Sequence, residues 1–248
     1  MLSGHGIKAI PFLPSLVFLL SLGKILTSRG RGNEVEYSMD HGKVVCLGKN
    51  YQAHAEEMRE ILGNVGRPVV FLKPSSALLS EPEPIRLPAY SQNIHHELEL
   101  VVEIGRRCKD VVAAEAWPSI RGYRIGLDLT ARDVQQEAKR NGWPWTLGKA
   151  FDTAAPISRL YLPGEVQGDI TDSRMVLTVN GDIRQDASTA DMTLPIPAIL
   201  EYLSGFFTLE PGDLVFTGTP AGVAQIHPGD ELVARIDALG EMTFRVEG

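Results

Sequence analysis

HHELELVVEI, residues 95–104, is the stretch on which the fold turns. Acidic and apolar residues alternate through it weakly with a period of two, which is the period of a β-strand and not of a helix. Glu97, Glu99, Val101 and Glu103 fall on one face, and Leu98, Leu100 and Val102 on the other. Strand residues two apart point the same way, so the carboxylates of Glu97 and Glu99 share one space. Unpaired they would repel, and a divalent cation would remove the conflict. Taken alone, the same alternation also describes the wet face of a half-exposed antiparallel strand. A second strand signal, residues 123–129, runs into a helix signal and leaves Asp128 between the two. If folding brings Asp128 to Glu97 and Glu99, three carboxylates suit a hard, oxygen-seeking ion such as Mg2+ or Mn2+, with positions left for water and substrate. His95 and His96 are adjacent on the strand and point oppositely, so at most one could join them.

Outward from this strand the signals remain β-rich. Residues 44–47 and 69–72 read as short strands, and residues 50–62 as a helix or helical turn ending at Gly63. Pro82, Pro84 and Pro88 mark an extended connection. Thr130, with Asp133 three residues later, resembles a capping box for a helix that stops at Asn141-Gly142. Beyond Pro156 come a strand at 175–180, an Asn180-Gly181 hairpin turn, and a helix opened by Pro197 with Ile199, Leu200, Leu203 and Phe206 on its apolar side. Pro-Gly-Asp turns at 211–213 and 228–230 each precede an apolar run, and residues 238–240 link the last two strands. The body reads as one α+β, mainly β domain, with no linker and no internal repeat.

Composition narrows the possibilities. The chain has 248 residues, 44% of them hydrophobic, and a formal net charge of −7, enough length for a substantial core and too apolar for a disordered tail. Its two cysteines, Cys46 and Cys108, lie in apolar runs, which favours buried reduced thiols and a reducing compartment: the cytoplasm, or the mitochondrion in a eukaryote. An acidic chain without a Lys/Arg cluster lacks the electrostatic footprint of a nucleic-acid binder. Near the N-terminus, the fifteen uncharged residues between Lys8 and Lys24 would rise about 22 Å as a helix. That is short of the roughly 30 Å hydrocarbon layer, and Pro11 and Pro14 interrupt it, which argues against a membrane span. A signal peptide and a mitochondrial presequence each fit this stretch only in part. The preferred reading makes Met39 the start, residues 1–38 an upstream extension and residues 39–248 the folded domain. Removing that extension's four bases and two acids takes the charge from −7 to −9.

Other residues could carry chemistry. His54 and Glu57 stand three apart, on one side of a helical turn; a carboxylate beside an imidazole raises its basicity and fixes its tautomer, as a general base requires. The same pair is also common on solvated helices. Lys149 invites a phosphate-loop reading that fails on counting, because five residues separate Gly142 from Gly148 and Ala150 stands where Ser or Thr is needed. Lys73 and Lys149, each after an apolar or aromatic stretch, are candidate pocket cations.

Taken together, CLGKNYQAHAEEM (46–58), VVFLKPSSAL (69–78), IHHELELVVEIGRRCKDV (94–111), GYRIGLDLTARDVQ (122–135), PWTLGKAFDTAAPIS (144–158) and LEPGDLVFTGTPAGV (209–223) resemble the fumarylacetoacetate hydrolase family, in particular its short acylpyruvase branch. The resemblance begins near residue 43 and covers nearly everything after it; Ala224 departs from the Gly that many relatives carry. It implies a twisted mixed β-roll, usually a homodimer, and a metal triad of Glu97, Glu99 and Asp128 holding Mg2+ or Mn2+. It further implies His54 and Glu57 as a water-activating pair on a segment that can order as a lid. Lys149 and Gln135 would polarise the reacting carbonyl, while Lys73 and Thr219 would hold the substrate. The expected reaction is cleavage of a carbon–carbon bond in acylpyruvates such as acetylpyruvate or fumarylpyruvate, giving pyruvate and a carboxylic acid. Alternatives are oxaloacetate decarboxylation, isomerisation or hydration of a 2-oxo-dicarboxylic ring-cleavage product, and a metal-binding dimeric scaffold without activity.

Overall fold

The structure, a computed structural model, describes residues 41–51 and 68–248. Residues 1–38, the pair His54 and Glu57, and all of the expected 50–62 helix beyond Tyr51 lie outside the described residues; Tyr51 itself bridges Met192. Strands form where β-branched and apolar residues cluster between turn residues. Seven of them, β1 (Val44–Gly48), β2 (Val69–Lys73), β3 (Leu78–Ser80), β6 (Leu98–Ile104), β7 (Ile120–Leu127), β9 (Ala155–Ile157) and β12 (Leu214–Phe216), make a sheet in the order β2-β1-β12-β6-β7-β9-β3. Five more, β4 (Ile85–Arg86), β10 (Arg174–Val179), β11 (Asp182–Ser188), β13 (Glu231–Ile236) and β14 (Gly240–Glu247), follow the order β11-β10-β13-β14-β4. A two-stranded ribbon pairs β5 (Ile94–His95) with β8 (Thr130–Ala131). The pairs β1–β12, β3–β9 and β14–β4 are parallel and the rest antiparallel, so the curled sheets are mixed. Three α-helices accompany them among the described residues: α1 (Arg132–Asn141), α2 (Thr146–Lys149) and α3 (Ile196–Phe206). The mainly β architecture agrees with the sequence expectation.

The alternative reading of residues 97–104 as a strand with a wet face does not hold. β6 is buried along its whole length, because β10 packs against it while β12 and β7 flank it. Both the apolar side and the acidic side of β6 are therefore interior. The 69–72 strand forms as expected, as β2 at the edge of the sheet, with Leu72 45% exposed.

Turn chemistry works as read at the hairpin, where Asn180 and Gly181 take φ of 54° and 84°, the left-handed pair of a two-residue loop. The capping box does not form. Thr130 is part of β8, opposite His95, and its hydroxyl turns back to the Asp128 carbonyl at 3.2 Å. Asp133 accepts instead from Ser91 Oγ and the Gln92 amide, at 2.6 and 2.9 Å, tying the start of α1 to the preceding loop. Gly142 ends α1 in the left-handed conformation, as expected.

Candidate active site

The β6–β7 ladder pairs Leu98 with Leu127 and Glu99 with Gly126, and one further bond, Asp128 N–H to the Glu97 carbonyl at 2.8 Å, continues it. Glu97 and Asp128 are thus cross-strand neighbours, and Glu99 follows two residues along on the same face. One oxygen from each carboxylate lies within 4.8 Å of the other two, and all three residues are buried. The loop after β12 closes over Glu99. Gly218, at φ 101°, donates its N–H to Glu99 Oε2 at 2.7 Å, and a Cβ there would stand 2.7 Å from that of Asn50. Only glycine combines that conformation with so close an approach.

Three cations face the three carboxylates. Arg132 Nη2 meets Glu97 Oε1 at 2.5 Å; Lys149 Nζ meets Glu97 Oε2 at 2.9 Å and Asp128 Oδ2 at 2.7 Å. Lys73 Nζ meets Asp128 Oδ1 at 2.8 Å while donating to the carbonyls of Leu129, Ala154 and Lys149, so this lysine also organises backbone. Glu99 remains the least compensated. Burial, reinforced by Asp128 and Glu97, pushes its carboxyl well above the usual carboxylate range. Burial works against the charge of Lys149, yet Asp128 and Glu97 hold its ammonium above the ordinary lysine value. An all-oxygen set of buried carboxylates in mutual repulsion suits a hard divalent cation, and the residues present fit such an ion.

Helices α1 and α2 bring Gln135 and Lys149 to this cluster. Gly148 lets them touch: a Cβ there would lie 3.1 Å from the backbone of Gln135. Gln135 Oε1 accepts from Arg132 Nη1 at 2.8 Å and Lys139 Nζ at 3.2 Å. Because the Arg132 guanidinium cannot accept, the oxygen must face it, and the amide NH2 is left as the donor. A cleft of about 960 Å³ adjoins, with Phe71, Lys73, Trp143, Trp145 and Lys149 among its walls. Lys149 Nζ stands 4.7 Å from the Phe71 ring centroid.

The structure thus gathers Glu97, Glu99, Asp128, Lys73, Lys149 and Gln135, and sets Thr219 beside the Gly218 that holds Glu99. Neither adjacent histidine joins the carboxylates. His95 Nε2 pairs with Asn93 Oδ1 at 2.9 Å and burial pulls it down to about 4; His96 Nδ1 pairs with Gln185 Oε1 at 3.1 Å. Two residues escape the sequence reading. Arg132 lies in the quoted ARDVQ stretch, but nothing local shows that it reaches back to Glu97. Gln185 sits on a strand whose pattern looks exposed, and gives no signal at all.

The sequence model for the fumarylacetoacetate (FAA) hydrolase C-terminal domain matches residues 43–247. The chain belongs to the fumarylacetoacetate hydrolase family. Within it, the chain is 47% identical over 204 residues to human oxaloacetate tautomerase FAHD1, mitochondrial, covering 82% of this chain and 91% of that one. The fold is similar to that of fumarylpyruvate hydrolase from Pseudomonas aeruginosa in complex with Mn2+ and pyruvate, with a TM-score of 0.78 and 38% identity over 84% of this chain and 90% of that one. It is also similar to 2-hydroxyhepta-2,4-diene-1,7-dioate isomerase from Mycobacterium marinum, with a TM-score of 0.73, 41% identity and coverage of 84% and 75%. These relatives of the family are enzymes acting on small molecules, one a tautomerase, one a hydrolase and one an isomerase. Among the described residues, no helix is long and apolar enough to cross a membrane.

Proposed function

We propose that the chain is a divalent-metal-dependent enzyme on 2-oxo acids, hydrolysing the carbon–carbon bond of acylpyruvates. The observation that carries this is the buried triad of Glu97, Glu99 and Asp128, with Lys149 and Gln135 against it. Glu97, Glu99 and Asp128 would hold Mg2+ or Mn2+, whose chemistry is Lewis-acid polarisation of the 2-oxo acid. The chain's own groups do the rest. His54, oriented by Glu57, takes a proton from water as the resulting hydroxide attacks the distal carbonyl. The third N–H of Lys149 and the amide NH2 of Gln135 donate to the developing oxyanion. When the carbon–carbon bond breaks, its electron pair goes to the methylene carbon, which recovers a proton from the His54 imidazolium, leaving pyruvate and a carboxylic acid that loses its proton to solvent. Thr219 donates to the substrate carboxylate, and Lys73 lines the cleft and holds Asp128.

Charge arithmetic supports an anionic substrate. Lys73, Lys149 and Arg132 already balance three carboxylates, so a divalent cation brings local positive charge that a 2-oxo acid then offsets. A homodimer and a reducing compartment, cytoplasmic or mitochondrial, belong to the same reading. Cys46 and Cys108 are both unpaired, and burial pushes both thiols up.

A second reading is favoured by the human relative: proton transfer between the keto and enol forms of oxaloacetate, or its decarboxylation, at the same site. Both spare the attacking water. Acetylpyruvate, fumarylpyruvate and oxaloacetate assayed with Mg2+, and again with EDTA, separate the two. His54→Ala is expected to abolish hydrolysis and spare metal binding, whereas Glu99→Ala loses both. Absence of metal-dependent turnover on every 2-oxo acid would leave only a binding scaffold.

A further inference from the structure

Gln185 comes from β11, in the smaller sheet, and ends fully buried beside the proposed site. Its Oε1 accepts from the Leu98 amide at 3.0 Å and from His96 Nδ1 at 3.1 Å; its Nε2 donates to Thr219 Oγ1 at 2.8 Å and to the Pro220 carbonyl at 3.0 Å. The orientation of this amide is not a matter of choice. A backbone N–H can only donate and a backbone carbonyl can only accept, so Leu98 and Pro220 together assign the oxygen and the nitrogen. Both hydrogens and both lone pairs of the amide are then used.

The consequence falls on Thr219. Its Oγ1 receives the Gln185 N–H, so its own hydrogen cannot lie on that line and is left to donate elsewhere. Thr219 follows Gly218, whose N–H holds Glu99, so it is the chain neighbour of a residue that touches the triad. We propose that Gln185 is a positioning residue that commits the Thr219 hydroxyl to act as a hydrogen-bond donor to an anionic ligand oxygen. This rests on the reading of Thr219 as a substrate-carboxylate contact. Through the Leu98 amide, which lies between Glu97 and Glu99, the same side chain also ties the carboxylate strand to the loop that carries Thr219. The site is thus registered from a strand of the second sheet.

Gln185→Glu keeps the shape and the acceptor for Leu98 but replaces the N–H with an oxygen, to which Thr219 would turn its hydrogen. Pyruvate affinity of the Mn2+-loaded protein, measured by calorimetry, is the readout, with Mn2+ affinity and thermal stability recorded beside it. Thr219→Val should weaken pyruvate about tenfold or more, the range of a hydrogen bond to a charged group. Q185E should do the same in the otherwise unaltered protein, at roughly unchanged Mn2+ affinity, and cost about threefold or less in the T219V background. Equal losses from Q185E in both backgrounds would mean that the introduced charge acts on the ligand directly, which overturns the proposal. A loss in T219V without one in Q185E overturns the role of Gln185 alone. Unaltered protein that binds Mn2+ but not pyruvate, or T219V that binds pyruvate normally, overturns the underlying reading as well. Should Q185E not fold, neutron diffraction of the unaltered protein decides: a deuteron of Thr219 pointing away from Gln185 Nε2 supports the assignment, and one pointing at it refutes it.

Discussion

Two buried acidic regions share one face of β6 and have opposite characters. At the far end Glu103 is fully buried and matched: Arg121 Nη1 meets Oε1 at 2.7 Å, while Arg124 meets Oε2 through Nε at 2.9 Å and Nη2 at 2.7 Å. Arg124 spends its Nη1 on the Ser158 carbonyl. Four residues away, Glu99 shares its space with Glu97 and Asp128, its own direct contact being the Gly218 amide. Guanidinium forks satisfy a carboxylate in a fixed plane and close the site. At the triad a single guanidinium nitrogen, of Arg132, reaches only Glu97, and with lysine ammonium groups and one backbone amide it leaves carboxylate lone pairs for something else. Residues of one type, on one strand face, are a structural lock at one end and a candidate metal cradle at the other.

The contrast can be broken at its functional end first. Glu99→Ala or Asp128→Ala should lower kcat/KM on a 2-oxo acid by about a thousandfold or more, the scale of lost Lewis-acid stabilisation, with metal binding lost in calorimetry. Fold and solubility should survive in Glu99→Ala, which relieves repulsion, whereas Asp128→Ala also takes a partner from the buried Lys73 and Lys149 and should lower folding stability as well. Activity retained in Glu99→Ala would erase the distinction between the two ends.

Glu103→Ala should behave in reverse. It strands the mostly buried Arg124, which costs about 3–5 kcal/mol of folding stability in denaturant titration. Its Mn2+ affinity should stay within about twofold of the original, because sites this far apart act independently. A large metal defect in this variant would show that the two ends are coupled.

Metal itself sharpens the comparison at a smaller scale. Mn2+ at a hundred times its dissociation constant should stabilise the protein by about 2.7 kcal/mol, reversibly with EDTA. That shift should persist in Glu103→Ala and vanish in Glu99→Ala.

The smallest expected effect concerns Lys139, at the edge of the cluster against Gln135 and the Trp145 ring. Burial, with Arg132 and Lys149 nearby, pulls it down to about 7 from 10.5. Its charge therefore burdens the folded state fully below about pH 7, and the burden lifts as pH rises toward the unfolded value. Lys139→Met should flatten the part of the stability profile that rises across that window. An identical profile in the variant would remove Lys139 from the electrostatics of the site.

Much of this was legible in the primary structure wherever the signal was local. The alternation in residues 97–104 places Glu97, Glu99 and Glu103 on one face whatever surrounds them, because side-chain direction in a strand follows from backbone geometry alone. Asn180-Gly181 and Gly142 need left-handed conformations that few residues adopt, so those turns announce themselves. Expectations failed where local preference met a tertiary demand. Thr130 was drawn into β8 and could not cap α1, and the acidic face of β6 was met by cations of β7, α1 and α2 instead of by water.

What the sequence determined by itself is the chemistry on offer: a β-rich chain, a pair of carboxylates two apart, lysines and a glutamine in recurrent company, a family pattern from residue 43 onward. Only the tertiary structure decided which carboxylates stand together and which are cancelled. Asp128 joins Glu97 through a cross-strand register across some thirty residues, Arg121 and Arg124 claim Glu103 through the same ladder, and Gln185 arrives from another sheet. Charge pairing depends on distance in space, and in a mixed sheet that distance is set by register and packing, which no local period encodes.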